Sequence, residues 1–328
     1  DKSIPTVEAI QLFDDFLCEL SKRKVQTFII SGNHDSAERM AFGGRLMKES
    51  GVYVAPVYAG KTQAVVLEDE WGPINIYLLP FVKPANVKRF FEDEQIENYT
   101  DAIRVAVEQM KLNTDERNVL VTHQFVTGAK RSESEDISVG GTDNVDASVF
   151  DEFDYVALGH IHGPQKIGRE TVRYCGTPLK YSFSEIHHKK SVTIVEMKEK
   201  GNVEICTKEL LPLRDWCEMK GSYMELTEKA YYKNLDQESY MHITLTDEED
   251  IPEAVRKLQV IYPNVMKLDY DNQRTRGKAA FLETAEVEEK TPFDIFEELY
   301  EKQNNQEMNE EQKKLIYDLV EKIWEGGH

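Results

Sequence analysis

The sequence predicts an α/β fold with helices packed over its sheets, followed by a small α+β domain and a helical C-terminal tail. Two observations carry this prediction. Short runs of β-branched and aromatic residues alternate with helical patterns in the first half of the chain, and several strand patterns then follow one another. At 328 residues, the chain is long enough for one large domain or for two to three smaller ones.

The N-terminal part begins with an amphipathic pattern. Apolar residues recur close to the helical period from Thr6 to about Arg23, which predicts a helix. Val25–Ile30 is β-branched and aromatic and ends before a glycine, so it predicts a strand that is buried on both faces and leads into a loop. A further helix is predicted from Tyr99 to about Leu112. Other strand patterns lie at Gly51–Ala59, Ala64–Leu67, Ile74–Phe81, Val119–Thr122 and Tyr155–Leu158.

After about Val172 the chain becomes rich in strand patterns and then changes character. The segment Lys200-Gly201-Asn202 lies between two of these patterns and predicts a hairpin. Beyond Pro212, two strand patterns flank a helix predicted over Ile251–Ile261, with Pro252 in its first turn. We therefore divide the chain into residues 1–211, a small α+β domain at 212–271, and a linker with two short helices at 272–328.

The two terminal helices carry their own start signals. Thr291-Pro292 is an N-cap and first-turn pair, and Asn309 with Gln312 forms a capping box. Each helix has an apolar stripe, which either packs within the molecule or binds a partner. Two short helices can hardly bury both stripes on each other, which favours a partner. The candidate partner-binding residues are Phe293, Phe296, Tyr300, Leu315, Leu319 and Ile323.

Composition limits the compartment and the partners. No apolar run approaches the roughly 18 residues that cross a bilayer, so we expect no membrane partner. The four cysteines have no paired short spacing, which favours a reducing compartment over a disulfide framework or a zinc knuckle. The net charge of −20 disfavours nucleic acid as a partner if only the total is considered, but local charge can differ in sign.

Four of the eight histidines lie where an apolar run gives way to a polar loop. In open α/β sheets, ligands bind outside the carboxyl ends of the strands, so three segments could deliver side chains to one edge. A lone histidine at such a place is usually structural, whereas this combination favours a site. In Gly159-His160-Ile161-His162, both rings point to the same side if the backbone is extended. The residues at the three strand ends are Asn33, His34, Asp35, His123, His160 and His162.

These side chains suit a divalent metal. Imidazole with amide or carboxylate oxygen fits manganese, iron, zinc or magnesium, and the absence of cysteine clusters argues against a structural zinc. Two metals roughly 3.5–4 Å apart could clamp a phosphate and activate a bridging water for in-line attack. A histidine beside them could then protonate the leaving oxygen.

The order of Gly32-Asn33-His34-Asp35, His123 and Gly159-His160-Ile161-His162 resembles the motifs of the calcineurin-like metallophosphoesterases. The stretches ALGHIHGPQKI and YCGTPLKYSFSE, within Ala157–Glu185, are similar to the SbcD branch of bacterial double-strand-break nuclease subunits, which is related to eukaryotic and archaeal repair nucleases. The resemblance covers essentially the whole chain. It implies a two-sheet sandwich flanked by helices, a capping domain that helps to select DNA, and helices that dock on the coiled-coil base of the ATPase SbcC.

The resemblance also implies roles for the site residues. His34 would contact the scissile phosphate and assist the leaving group, and Asp35 would orient it and stabilise its charge. The implied activity is double-strand exonuclease and single-strand or hairpin endonuclease in DNA replication, repair and recombination, with two divalent metals, Mn²⁺ in preference to Mg²⁺. The implied assembly is a cytoplasmic heterotetramer of two such chains with SbcC on DNA. The metal assignments are Asn33, His123 and His160 to one ion and His162 to the other.

One departure from the family pattern concerns the metal ligands. The family's Asp-x-His and Gly-Asp motifs supply three ligands, including the carboxylate that bridges both metals, and neither motif occurs in this sequence. Asp1–Pro5 resembles the segment just after the Gly-Asp motif, so we expect the chain to lack the first βαβ portion. We therefore expect weak metal binding and poor or no DNA cleavage.

Several basic residues after strand patterns are candidate DNA contacts. Any one of them is more often a solvated surface charge. Phosphate contacts position DNA without specifying its sequence, so we expect recognition of DNA structure. Two other functions stay open: a phosphoesterase acting on nucleotides, phosphoproteins or cyclic phosphodiesters, and a non-catalytic scaffold for the ATPase. The candidate DNA contacts are Lys83, Lys88, Arg89, Lys130, Arg131, Lys189 and Lys190.

Overall fold

The computed structural model describes residues 3–135, 143–273, 275, 293, 296, 297, 300 and 308–325. It confirms the α/β fold class, with several sheets accompanied by helices. The chain forms two compact units, one of Asp1–Glu218, Asp236–His242 and Tyr262–Met266, and the other of Met219–Leu235, Ile243–Ile261 and Lys267–His328. The proposed domain boundaries at 211/212 and 271/272 stay a prediction.

The helices are mostly short. Among the helices in the described residues, the first, the fifth and the last exceed two turns. Their bounds are α1 Val7–Lys22, α2 Ala37–Ala41, α3 Gly44–Glu49, α4 Pro84–Lys88, α5 Tyr99–Glu108, α6 Tyr223–Thr227, α7 Lys229–Tyr232, α8 Ala254–Leu258 and α9 Glu310–Glu325.

The strands lie mainly in the first unit. Their bounds are β1 Thr27–Ile30, β2 Val52–Ala55, β3 Val65–Asp69, β4 Gly72–Leu79, β5 Arg117–His123, β6 Phe125–Val126, β7 Asn144–Val145, β8 Tyr155–Gly159, β9 Gln165–Ile167, β10 Arg169–Tyr174, β11 Ser191–Met197, β12 Val203–Glu209, β13 Trp216–Gly221, β14 Tyr240–Leu245 and β15 Val265–Tyr270.

The largest sheet has six strands in the order β3-β4-β5-β8-β10-β9. Its four inner strands run parallel, and β3 and β9 pair antiparallel at the two edges. Parallel neighbours end at the same edge, so the loops after β5 and β8 leave the sheet side by side. The smaller sheets are the parallel pairs β1-β2 and β6-β7, the hairpin β11-β12, and the sheet β13-β14-β15.

The core of the first unit surrounds the inner strands and α5. Leu120 of β5, Val156 of β8 and Tyr174 of β10 have no exposed surface, and neither has Ile103 of α5. The hydroxyl of Tyr174 donates to the Gln124 carbonyl at 2.7 Å and accepts the Val126 N–H at 2.9 Å, so this buried polar atom is fully paired. These contacts hold the backbone just after His123 against the sheet.

The N-terminal helix and strand form where the sequence predicts them, but the strand is less buried than predicted. Helix α1 is confirmed, and the Thr6 side chain caps it by accepting the Ala9 N–H at 3.3 Å. Of its apolar residues only Leu17 is buried. Strand β1 is also confirmed, but its burial on both faces is wrong, because all four residues are half-buried. Among the described strands, β1 pairs with β2 alone.

The hairpin prediction at residues 200–202 is confirmed, since Met197 pairs with Val203 across that turn. The predicted helix over Ile251–Ile261 is shorter, and the placement of Pro252 in its first turn is wrong. Glu253 adopts the left-handed conformation, with φ of 53°, and a residue in this conformation cannot continue a right-handed helix. The helix α8 therefore begins only at Ala254.

The start of the last helix agrees with its predicted capping box. The Asn309 N–H donates to Gln312 Oε1, and the Gln312 N–H donates to Asn309 Oδ1, both at 2.9 Å. The Thr291-Pro292 pair and the side chain of Ile323 lie outside the described residues. No helix in the described ranges is both long and apolar enough to cross a membrane.

Candidate functional site

A pocket of about 250 Å³ lies beyond the carboxyl ends of β1, β5 and β8. The three strand ends that the sequence singled out thus meet at one place, although the chain covers 90 positions between Asn33 and His123 alone. Asp35 is not among the lining residues. The predicted site residues that line the pocket are Asn33, His34, His123, His160 and His162.

The loop after β1 is braced at both ends. Asp35 Oδ2 accepts the Gly32 N–H at 2.7 Å, which closes the loop over Asn33 and His34. The buried Ser31 side chain donates to the Pro56 carbonyl at 2.7 Å, and the backbone carbonyl of Ser31 accepts the Phe81 N–H at 3.0 Å. These contacts hold the Asn33 and His34 backbone at the mouth of the pocket.

His123 is held between two glycines. A Cβ atom at Gly32 would lie 2.8 Å from Cε1 of the ring, and one at Gly159 would lie 2.8 Å from Nδ1, so the ring occupies space that any other residue would fill. Its Nε2 lies 3.0 Å from Asn33 Oδ1. Burial and the neighbouring His160 lower the pKa of His123 to about 3, which keeps the imidazole neutral, as a metal ligand must be.

His160 has a strained backbone and an unused ring nitrogen. Its φ of 107° is in the region that favours glycine, so the condition of an extended backbone is not met at this residue. Strand β8 has already ended at Gly159, and the rings of His160 and His162 reach the same pocket from a turn. The buried Nε2 of His160 has no hydrogen-bond partner in the described structure, and burial followed by the charge of Arg131 lowers the pKa of this imidazole.

The imidazole of His162 is oriented by polar side chains that contact its Nδ1 atom. Its Nδ1 lies 2.7 Å from Ser134 Oγ and 3.3 Å from Glu185 Oε1, and the Ser134 hydroxyl also donates to that carboxylate. Its backbone N–H donates to Glu135 Oε1 at 2.6 Å. A carboxylate on one ring nitrogen fixes the tautomer and leaves the other nitrogen for a metal.

Lys190 donates hydrogen bonds to Glu185 and to the backbone of His162. Its Nζ donates to Glu185 Oε2 at 2.6 Å and to the His162 carbonyl and Thr177 Oγ1, both at 2.8 Å. Lys190 is 4% exposed and all three of its donors are used, so the structure does not agree with the predicted phosphate contact. A buried ammonium serves here to balance the Glu185 carboxylate behind His162.

Glu185 is ionised in this setting. Burial raises the pKa of its carboxyl, but hydrogen bonds from Lys190 and Ser134, together with the charge of Lys190, outweigh burial, and the pKa is lowered. Its side chain has no exposed surface, so the carboxylate depends on these partners.

The other basic candidates divide into two groups. Lys130, Arg131 and Lys189 line one depression, and none of the described residues in its lining is acidic. Arg131 is largely committed to the protein, since its guanidinium pairs with both oxygens of Asp143 at 3.0 and 3.1 Å and lies 3.7 Å from the ring centre of Phe125. The remaining candidates do not line this depression and lie on or beside α4, namely Lys83, Lys88 and Arg89.

The pocket residues fit part of a metal site. Within the described ranges, no three His, Cys, Asp or Glu side chains converge as a metal-binding set. The neutral His123, the unpaired Nε2 of His160 and the adjacent Asn33 oxygen nevertheless have the donor chemistry of a divalent-cation site. For a second ion, the sequence prediction names only His162.

Sequence reasoning missed the residues that support the histidines. Ser134 and Glu135 belong to the polar run after His123, in which the sequence predicts a role only for Lys130 and Arg131. Glu185 is the last residue of the YSFSE segment, which indicates the family but predicts no role for this carboxylate. The signal in the sequence that could have indicated this supporting role is a carboxylate, Glu185, directly after an aromatic-rich segment.

Two comparisons with known proteins bear on the family of this chain. Residues 210–304 match the family model described as the type 5 capsule protein repressor C-terminal domain. The chain is 30% identical to the D subunit of nuclease SbcCD from Staphylococcus epidermidis (strain ATCC 12228 / FDA PCI 1200), over 98% of this chain and 84% of that protein. The chain belongs to the SbcD family. The SbcD-family match therefore includes all three strand ends that form the pocket.

The terminal helix of this SbcD-family chain contacts residues of the preceding segment. The rings of Phe293 and Tyr317 are 5.9 Å apart, and Gln312 Nε2 donates to the Tyr300 hydroxyl at 2.9 Å. Part of the predicted partner stripe thus packs within the chain. Three other residues of the stripe are accessible, with exposed fractions of 42%, 60% and 45% for Phe296, Leu315 and Leu319.

Proposed function

We propose that this chain is the nuclease subunit of a DNA-processing complex and hydrolyses phosphodiester bonds with two divalent metals. One observation carries the proposal: three loops that are far apart in the sequence place an amide and four imidazoles around one pocket at the carboxyl ends of the strands. Membership of the SbcD family supports the nucleic-acid substrate. We place this activity in the bacterial cytoplasm, in repair and recombination of DNA ends.

The pocket residues take two roles in this proposal. Bound manganese would supply an activated water and positive charge opposite the phosphate. His34, at the pocket wall, donates a proton to the leaving oxygen, and Asp35 keeps its loop in place. The proposed ligands are Asn33, His123 and His160 for one ion and His162 for the other.

Cleavage of a radiolabelled DNA hairpin and of a linear duplex, at millimolar Mn²⁺ and then Mg²⁺, tests this function. We expect slow cleavage that Asn33→Ala abolishes by loss of metal binding, whereas His34→Gln abolishes cleavage and retains metal binding. Hydrolysis of a nucleotide, a cyclic phosphodiester or a phosphopeptide without any binding of DNA would contradict the proposal and favour another phosphoesterase.

The second metal is expected to bind weakly, because His162 is its only proposed ligand. Mn²⁺ titration followed by electron paramagnetic resonance should show one tighter and one much weaker site. Full DNA binding and ATPase-subunit binding without measurable cleavage would instead support the second candidate function, a scaffold for the ATPase. Fast cleavage at micromolar Mn²⁺ would show that the expected weak metal binding is wrong.

DNA binding is proposed to use the depression that contains Lys130 and Lys189. The described residues of its lining include cations and no acid, whereas the chain as a whole has a net charge of −20. Removal of one phosphate-binding cation should lower the salt slope of binding by about 1. Lys130→Ala should therefore flatten the slope, while Lys198→Ala, whose ammonium already pairs with Glu204 at 2.6 Å, should leave it unchanged.

The ATPase subunit is proposed to bind the exposed stripe of the terminal helix. Leu315→Ala should weaken capture of a purified SbcC-type coiled coil, and truncation of the adjacent exposed Lys314 to alanine is the matched control. Deleting residues 291–328 should abolish capture and leave the phosphoesterase part folded. Unfolding of the whole chain on this deletion would argue that the helices are part of the core. Two copies of the chain are expected in the resulting heterotetramer.

A further inference from the structure

A second pocket, of about 240 Å³, adjoins the candidate metal pocket in the first unit. The two pockets share Pro178 and Tyr181, and the Tyr181 ring lies edge-on to His162 with ring centres 5.6 Å apart. We propose that this second pocket, here called the base pocket, holds the base of an unpaired nucleotide next to the phosphate under attack. This inference rests on the proposed nuclease function and names the form of DNA that it acts on.

The walls of the base pocket are mainly apolar and aromatic. Leu179 and Leu211 form part of its rim, and Trp216 and Tyr240 lie within it. The Trp216 ring is 5.7 Å from Tyr240 and 4.6 Å from Phe183, centre to centre, so neighbouring rings hold it in place. Fixed aromatic faces bind any base by stacking. The volume lies below the roughly 300–1,000 Å³ of most ligand pockets and suits a single heterocycle.

Arg214 supplies polar groups to the lining of the base pocket. Its side chain is 40% exposed, and its Nε lies 3.8 Å from Glu238 Oε2, beyond hydrogen-bond distance. The edge of a base carries acceptors for guanidinium N–H groups, which an apolar side chain lacks.

One cation connects the base pocket with the proposed DNA-binding depression. The other three cationic residues of its lining have acidic partners: Lys180 pairs with Asp215 at 2.8 Å, Lys190 with the buried Glu185, and Arg214 with Glu238 at 3.8 Å. Lys189 also lines the depression that contains Lys130. A strand with its base in this pocket would thus have its backbone beside cations.

Binding of a DNA hairpin whose loop carries 2-aminopurine tests the proposal. The probe is added in EDTA so that it is not cleaved, and it is compared with the same hairpin carrying an abasic loop. We expect quenching of 2-aminopurine and an affinity about tenfold higher for the loop with bases, since stacking of one base typically changes affinity by that order. Arg214→Met, which removes the guanidinium donors, should reduce the difference between the two hairpins.

Two exposed leucines provide a matched pair of variants. Leu211, 84% exposed, lines the base pocket, whereas Leu213, 92% exposed, does not. Leu211→Glu should remove the quenching and weaken the loop with bases to the level of the abasic loop, and Leu213→Glu should do neither. Equal effects of the two variants, or equal affinity for both hairpins, would overturn the base pocket and leave the nuclease proposal standing. Failure to bind any hairpin would overturn the nuclease proposal itself.

Discussion

Replacing Glu185 by glutamine removes one charge from the buried cluster behind His162. The Glu185 side chain is 0% exposed and its partner Lys190 is 4% exposed, so water cannot compensate for the lost charge. Removing one partner of a buried ion pair costs about 3–5 kcal/mol, mostly because the other charge stays buried. Glutamine keeps the shape and one acceptor, and the His162 carbonyl and Thr177 still accept from Lys190. We therefore expect a loss near the lower limit, about 3 kcal/mol.

Urea unfolding followed by tryptophan fluorescence measures this loss. The matched control is Glu170→Gln, which removes a surface ion pair with Lys166 whose side chains are 58% and 53% exposed, and it should cost less than about 1 kcal/mol. The double variant Glu185→Gln with Lys190→Met removes both charges and should be more stable than Glu185→Gln alone. If Glu185→Gln unfolds at the same urea concentration as the control, the cluster is not a buried ion pair in solution.

The same variant should weaken metal binding, because the carboxylate fixes the ring of His162. Loss of such a partner typically lowers metal affinity about 10- to 100-fold. Free Mn²⁺ measured by electron paramagnetic resonance, in buffer where the variant is fully folded, gives this affinity independently of DNA cleavage. An unchanged affinity would show that Glu185 stabilises the fold without orienting a ligand.

Three further predictions concern the cradle, the core and pH. Gly159→Ala places a Cβ atom 2.8 Å from the His123 ring and should weaken Mn²⁺ binding by tenfold or more, whereas Gly44→Ala, which meets nothing within 4 Å, should leave the affinity measured by the same titration unchanged. Tyr174→Phe leaves the Gln124 carbonyl and the Val126 N–H without their buried partner and should cost about 1–3 kcal/mol in urea unfolding; a cost near zero would mean that water replaces the hydroxyl. Because the folded pKa of Glu185 lies below its ordinary 4.5, the unfolded chain binds more protons near that pH. Its stabilisation is present above pH 4.5 and is lost as the pH falls through the folded pKa, so unfolding free energies of Glu185→Gln should depend less on pH in this acidic window than those of the wild type.

Much of the site could be predicted because its parts are local. A strand that ends in Gly-Asn-His-Asp, and another that ends in Gly-His-Ile-His, can be read from short windows of sequence, and parallel strands then place their ends at one edge. For the same reason, the capping box at Asn309 and the turn at residues 200–202 were found correctly. Periodicity and turn chemistry act over a few residues, so a single sequence contains them.

Burial could not be predicted in the same way, because it depends on contacts between distant residues. The sequence predicts that Lys190 is a surface cation, yet its ammonium donates to the His162 carbonyl 28 positions away and is buried. The sequence predicts that strand β1 is buried on both faces, yet all four of its residues are half-buried. The sequence does not fix the backbone of His160, whose φ is 107° and whose ring centre lies 5.3 Å from that of His123. The sequence therefore determined which groups arrive at the strand ends, whereas the tertiary structure decided which charges are buried and which nitrogens face the pocket, because desolvation and charge pairing are properties of the packed chain.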